Sequence, residues 1–192
     1  MKIIRLLCFV SLSLVLLTSC KSKKATPIQN ETGAKEISVP FSSSDYATDQ
    51  NYFRARSSGK SPDMAAAKKI AMNNAKSEMA SNIQTMIKKV TDQYTNQRSV
   101  GKDQEYENKF EELTREVTNQ SLANISVKGE KIFQEPNGGY TYWVAIEADK
   151  KEVFKTIDSK ISSDKKLQLD YDKAKFQQIF DEEMKKFADQ NK

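Results

Sequence analysis

The order of apolar and polar positions divides the chain into one unbroken apolar run near its start and a series of periodic segments after residue 50. The run, Leu6 to Leu17, follows Lys2 and Arg5 and is about 12 residues long, short of the roughly 20 that a membrane-spanning helix needs. It reads as a signal peptide over residues 1–19. Residues 21–50 show little apolar periodicity, are rich in Ser, Lys and Thr, and hold two prolines. They predict a flexible tether with a root-mean-square reach of roughly 30 Å. Periodicity returns at Asn51 to Ser57, where Phe53 and Ala55 alternate with Arg54 and Arg56 in the two-residue repeat of a strand. Ser58, Gly59 and Lys60 are expected to end that strand.

Ser61, Pro62 and Asp63 supply an N-cap, a proline for the first helical position and an acidic residue for the first turn. From there Ala67, Ala71, Ala75, Met79, Ile83, Met86, Val90 and Tyr94 form one apolar stripe at helical spacing. Its alanine-rich first half permits a close approach to a neighbouring layer, and its bulkier second half suggests a wider gap. Gln97 to Lys102, with Gly101, interrupts the pattern. A second helix is expected over Asp103 to Leu122, with Tyr106, Phe110, Leu113 and Val117 on one face. The pairs Glu105 with Lys109 and Glu111 with Arg115 have the spacing that supports a helix by a few tenths of a kcal/mol each.

Two runs of strand character follow, Asn124 to Gln134 and Tyr140 to Ala148. Asn137-Gly138 between them is a hairpin signal, since both residue types tolerate positive φ. In the second run Tyr140, Tyr142, Val144 and Ile146 share one face, which should pack on the two long helices. Thr141, Trp143, Ala145 and Glu147 share the other. Trp143 then needs a cover, or else serves as an exposed aromatic on a ligand-binding sheet. Asp149 and Glu152 have capping-box spacing ahead of Val153, Phe154, Ile157 and Ile161, which predicts a short helix. A last amphipathic helix is expected in residues 162–192, with Leu169, Phe176, Phe180, Met184 and Phe187 on one side. That stripe could lie over Trp143 or meet a second subunit or envelope partner. Docking within the chain is the expectation, because an isolated helix with this many phenylalanines would expose a large apolar face. Phe176, Phe180 and Phe187 are therefore candidate partner-binding residues beside Trp143. The pattern predicts an α+β fold: a small antiparallel sheet of about three strands packed against two long helices, in a domain over residues 51–161, with a further C-terminal amphipathic helix.

Charge and composition narrow the chemistry. Removing Lys2 and Arg5 from the 31 basic residues leaves 29 against 26 acidic ones, interspersed rather than clustered. This is a solvated surface and not a nucleic-acid footprint. The chain contains no histidine, which removes imidazole bases, serine triads and most zinc sites. There is no phosphate-cradling glycine loop and no closely spaced aspartate loop for calcium. No cofactor or metal is expected, and the absence of catalytic equipment argues against an enzyme. A cell-wall glycan hydrolase working through a Glu/Asp pair is the alternative.

The end of the apolar run gives the location. Leu17-Thr18-Ser19-Cys20 resembles the lipobox of bacterial lipoproteins, which implies diacylglycerol on the Cys20 sulfur, cleavage before it and acylation of the new amine. Each buried methylene contributes about 0.8 kcal/mol, so two or three acyl chains give persistent attachment. Cys8 leaves with the signal peptide, so no thiol remains for a disulfide or a nucleophile. Lys21 stands where an aspartate would argue for inner-membrane retention, and the resemblance implies the outer membrane, facing the periplasm. With this, the segments "FRARSSGKSPDMAAAKKIAMNNAKSEMASNI" and "GGYTYWVAIEADKKEVF" are similar to the Lpp-twenty-kilodalton lipoprotein family, whose domain resembles the N-terminal region of flagellar assembly protein T. The resemblance covers about Tyr52 to Ile157 and implies an α+β envelope lipoprotein; it brings no catalytic site with it. A lipid-anchored, non-enzymatic binding or scaffolding module is the expected function, with an envelope protein or a second copy of itself as partner.

Overall fold

The computed structural model describes residues 37–98, 104–136 and 138–190. The predicted signal peptide, Cys20 and most of the predicted tether lie outside these residues, as do Gly101 and Asn137. The alternation around Phe53 forms β1, Tyr52–Ser61. Two long helices follow, α1 at Met64–Arg98 and α2 at Gln104–Ala123. The hairpin strands are β2, Ser126–Gln134, and β3, Tyr140–Asp149. Helix α3 spans Lys150–Ser163 and α4 spans Lys173–Gln190. Short 3-10 turns occupy Ser44–Tyr46 and Leu167–Asp170. The strands make one antiparallel sheet in the order β1-β3-β2, which puts the aromatic strand in the centre. The fold is α+β.

Alternation gives the sheet two distinct faces. On the inner face Phe53, Ala55, Tyr142, Val144, Ile146 and Ala148 are buried. Helix α1 lies directly on β1 and β3. All eight residues of its predicted stripe, Ala67 to Tyr94, are buried, joined by Ile87 and Thr91. The alanine half does permit close approach, and Gly59 completes it: a Cβ there would press into the Ala67 carbonyl and the Ala71 amide. This corrects the expectation that Gly59 ends β1. The strand runs on to Ser61, and the glycine is kept bare by the helix crossing above it. The helix cap also shifts. Asp63, rather than Ser61, accepts the Ala66 amide at 2.7 Å, while Ser61 Oγ accepts the Asp63 amide.

Helix α2 packs on α1 and α3, with Tyr106, Phe110, Leu113 and Val117 buried as predicted. Its Lys109 bridges Glu112 and Asp164, and Glu105 meets Lys166. In the hairpin turn Gly138 takes a φ of 85°. Asp149 caps α3 by accepting the amides of Lys151 and Glu152. Helix α4 docks on α1 and α3, away from Trp143. Phe176 stacks edge-on to Tyr94 at 5.2 Å, Phe180 meets Phe154 at 5.2 Å, and Phe187 approaches Phe53 at 6.4 Å. The Tyr94 hydroxyl locks the approach, donating to the Asp170 carbonyl and accepting the Asp172 amide, both at 2.7 Å. Leu169 is not part of that face. It is 78% exposed, and Leu167 is the buried residue of the 3-10 turn instead.

The compact unit begins at Ser38, not near Asn51, and includes α4. The residues between Ser38 and Gln50 form a strap that the Ser- and Pro-containing sequence concealed. Phe41 is buried at φ 61°. An aromatic residue holds that left-handed backbone only where its surroundings enforce it.

Candidate functional site

The outer face of the sheet carries Trp143, and cross-strand register sorts it into four rows. The first row is Arg54, Glu147 and Ser126; the second is Arg56, Ala145 and Gly129. Ser58, Trp143 and Lys131 make the third, and Lys60, Thr141 and Phe133 the fourth.

The strap occupies the first two rows. Arg54 Nη1 binds the Ala47 carbonyl and the Asp49 carboxylate, and its Nε binds Glu147 Oε2 at 3.0 Å. Thr48 Oγ1 accepts the Arg54 amide at 2.8 Å and donates to the Arg54 carbonyl. Arg56 donates to the Phe41 carbonyl. The Phe41 ring lies 4.7 Å from that of Tyr46, and both reach Gly129, where a Cβ would sit 2.8 Å from Phe41 Cε1. Burial alone would raise the Asp49 carboxyl, but the Asn51 amide, Arg54 and the Tyr52 amide together hold it below the usual range. Behind the strap, Lys150 is buried, with its Nζ over the Phe53 ring and donating to the Asp49 carbonyl. Burial lowers its pKa to about 8.

The other two rows stay open. Trp143 is part-buried between Ser58 and Lys131, and Phe133 is 46% exposed. Two cations of these rows lie beside them, Lys131 over the Phe41 ring and Lys60 paired to Glu135 at 3.4 Å, while Lys128 pairs with Glu147 at 3.3 Å in the closed rows. The Thr141 hydroxyl donates to Glu135 and, with Lys60, keeps that carboxyl below its ordinary range. Strand β2 is an edge of the sheet, with Val127 and Ile132 also exposed. Of the predicted candidates, then, Trp143 lies on an accessible surface with an aromatic and basic rim. Phe176 and Phe180 are core residues, Phe187 is part-buried against the core, and the four do not come together.

A second concavity lies between α1 and α2, with a volume of about 630 Å³. Thr85, Lys88, Thr91, Asp92 and Thr95 line one wall, and Glu107, Glu111, Thr114 and Arg115 the other, over Tyr106 and Phe110. Glu107 and Glu111 stand one turn apart on the same wall, with Asp92 facing them from α1. Among the described residues no group of three acidic side chains is set to hold a metal ion, and no helix is long and apolar enough to cross a membrane. No protein-family model matches this sequence, and no curated protein matches it.

Proposed function

We propose that this chain is a lipid-anchored bacterial envelope lipoprotein whose folded unit is a non-enzymatic binding module. Its anchor is diacylated Cys20, and it stands on the periplasmic side of the outer membrane. The resemblance to the Lpp-twenty-kilodalton lipoproteins is part of this proposal. Residues 21–37 set the stand-off: at 3.3–3.6 Å per residue they cannot span more than about 60 Å. The observation that carries the binding role is the division of the outer sheet face, half closed by the strap and half left open around Trp143. The open half joins Trp143 and an exposed Phe133 to Lys131 and Lys60, against the single carboxylate Glu135. Its excess of positive charge fits an acidic segment of an envelope protein. Aromatic anchors inside a polar rim are what such interfaces use.

A photo-crosslinking residue in place of Phe133 in the membrane-inserted protein tests this. A discrete adduct with an acidic envelope protein, lost on Trp143→Ala and weakened by Lys131→Glu, is expected. Adducts only with lipid, or only with a second copy of the chain, would overturn the acidic-partner reading. The hydrolase reading needs a different outcome from the same preparation: soluble fragments released from purified cell wall, abolished by Glu107→Gln.

A further inference from the structure

The two edges of the sheet are finished differently. In an antiparallel ladder alternate residues turn their amide and carbonyl toward the neighbouring strand, and the rest turn them away. On β1 the bond from the Lys150 amide to the Asn51 carbonyl sets that parity, so Tyr52, Arg54 and Ser58 face outward. Each is answered from within the chain. The Tyr52 carbonyl accepts the Asp49 amide, and the Tyr52 amide donates to Asp49 Oδ1. Thr48 Oγ1 takes both main-chain groups of Arg54, and Asn74 Nδ2 donates to the Ser58 carbonyl.

On β2 the bond from the Glu135 amide to the Gly139 carbonyl sets the parity. Glu130, Ile132 and Gln134 then turn their main-chain groups to the open edge, and among the described residues those groups have no hydrogen-bond partner. The first half of the strand is guarded. A bulge sits between Val127 and Gly129, and the Phe41 ring lies against Gly129, so a further strand has no regular ladder to join there. From Glu130 to Gln134 the strand is regular and lacks proline, with Ile132 49% and Phe133 46% exposed on opposite faces. Glu130 is held by Lys68 at 3.0 Å, which offsets its charge.

This open segment is complementary to itself. We infer that β2 pairs antiparallel with β2 of a second copy of the chain, centred on Ile132, joining two three-stranded sheets edge to edge. In that register Ile132 meets its own counterpart, and Glu130 meets Gln134 of the second copy. These are the edge-facing residues, so every such pair exchanges both of its main-chain bonds. On the helix side Ile132 covers Ile132, and on the outer face Lys131 lies opposite Phe133, a cation–aromatic contact. Other registers are poorer. Centring on Glu130 or Lys131 sets like charges opposite one another. Centring on Phe133 or Gln134 brings Pro136, which has no amide, against Glu130 or Ile132. Pairing at Ile132 keeps both α1 helices on one side and merges the two Trp143 surfaces on the other.

Cysteine crosslinking of the full chain in its native membrane tests the register. The Cα atoms of a hydrogen-bonded antiparallel pair are about 5.5 Å apart, within the roughly 4.4–6.8 Å that a disulfide spans. Ile132→Cys should therefore give a disulfide dimer on mild oxidation, absent from the unsubstituted chain. Gln134→Cys alone should not, since its counterpart lies about 13 Å along the strand, but it should crosslink to co-expressed Glu130→Cys. In detergent the unsubstituted chain should sediment as a dimer, and Ile132→Lys should raise the dissociation constant at least tenfold with an unchanged melting temperature. No Ile132→Cys dimer, equal crosslinking by Gln134→Cys alone, a disulfide to a different protein, or a dimer that survives Ile132→Lys would each overturn the assignment. Trp143→Ala, which removes the proposed acidic partner, should leave the Ile132→Cys disulfide intact, so the two readings fail separately.

Discussion

At the scale of single residues, Lys150 shows how burial becomes a pH dependence. Its ammonium is enclosed beneath the strap, and burial brings its pKa from 10.5 to about 8. The unfolded chain keeps that proton until about 10.5, so between pH 8 and 10 it binds more protons than the folded chain, and stability rises with pH. Above pH 10 Tyr171 opposes this, since burial and its bond to Asp158 keep its phenol protonated in the fold after the unfolded phenol ionises. Denaturant midpoints should therefore climb from pH 8 to pH 10, and Lys150→Met should flatten that climb; an unchanged slope in the variant would assign it to other groups. None of this was legible in the sequence, where Lys150 follows Asp149 as one more charged residue near a helix start. Gly59 was visible but misleading. In one dimension a glycine beside Ser58 and Lys60 reads as a strand end, whereas its cause is a helix backbone crossing above it. Thr91 left a trace: it lies four residues after Ile87 and one after Val90, within the arc that the apolar stripe occupies.

At the scale of elements, periodicity located the segments well and their partners less well. The stripe from Ala67 to Tyr94 was legible because a helix that buries one face over 35 residues must repeat its apolar positions. The face of β3 that carries Tyr142, Val144 and Ile146 was legible for the same reason at period two. What a stripe does not encode is the surface that receives it, so α4 was expected over Trp143 and instead seals the far end of α1. Its start was misplaced because Leu169 continues the spacing of Phe176, while the chain is held in a 3-10 turn by Leu167 and the Tyr94 hydroxyl. Phe176 is fully buried between Tyr94 and Tyr171. Phe176→Ala should cost about 3–5 kcal/mol, in line with aromatic truncation in well-packed cores. Urea unfolding would measure it, and a loss under about 1 kcal/mol would mean that α4 is not part of the cooperative unit.

At the scale of the whole molecule, the open sheet rows face away from α1, and the cleft lies between α1 and α2. The proposed placement at a membrane rests on Cys20, read from the sequence alone. Cys20→Ser should move the protein from the membrane fraction to the soluble fraction, with the folded unit unaltered by circular dichroism. Continued sedimentation of the variant with membranes would overturn the lipid anchor.

The strap also decides where a pull on the chain is felt. A load applied ahead of Ser38 reaches Val39 and Phe41 before it reaches any strand, and it meets the Arg56–Phe41 bond and the ring seated on Gly129 before the paired Arg54–Asp49 cluster. These contacts lie in series along the chain, ahead of the strand ladder, like the teeth of a zip fastener drawn from one end. The Gly129 notch is thus the first of these surfaces that tension on the chain would uncover.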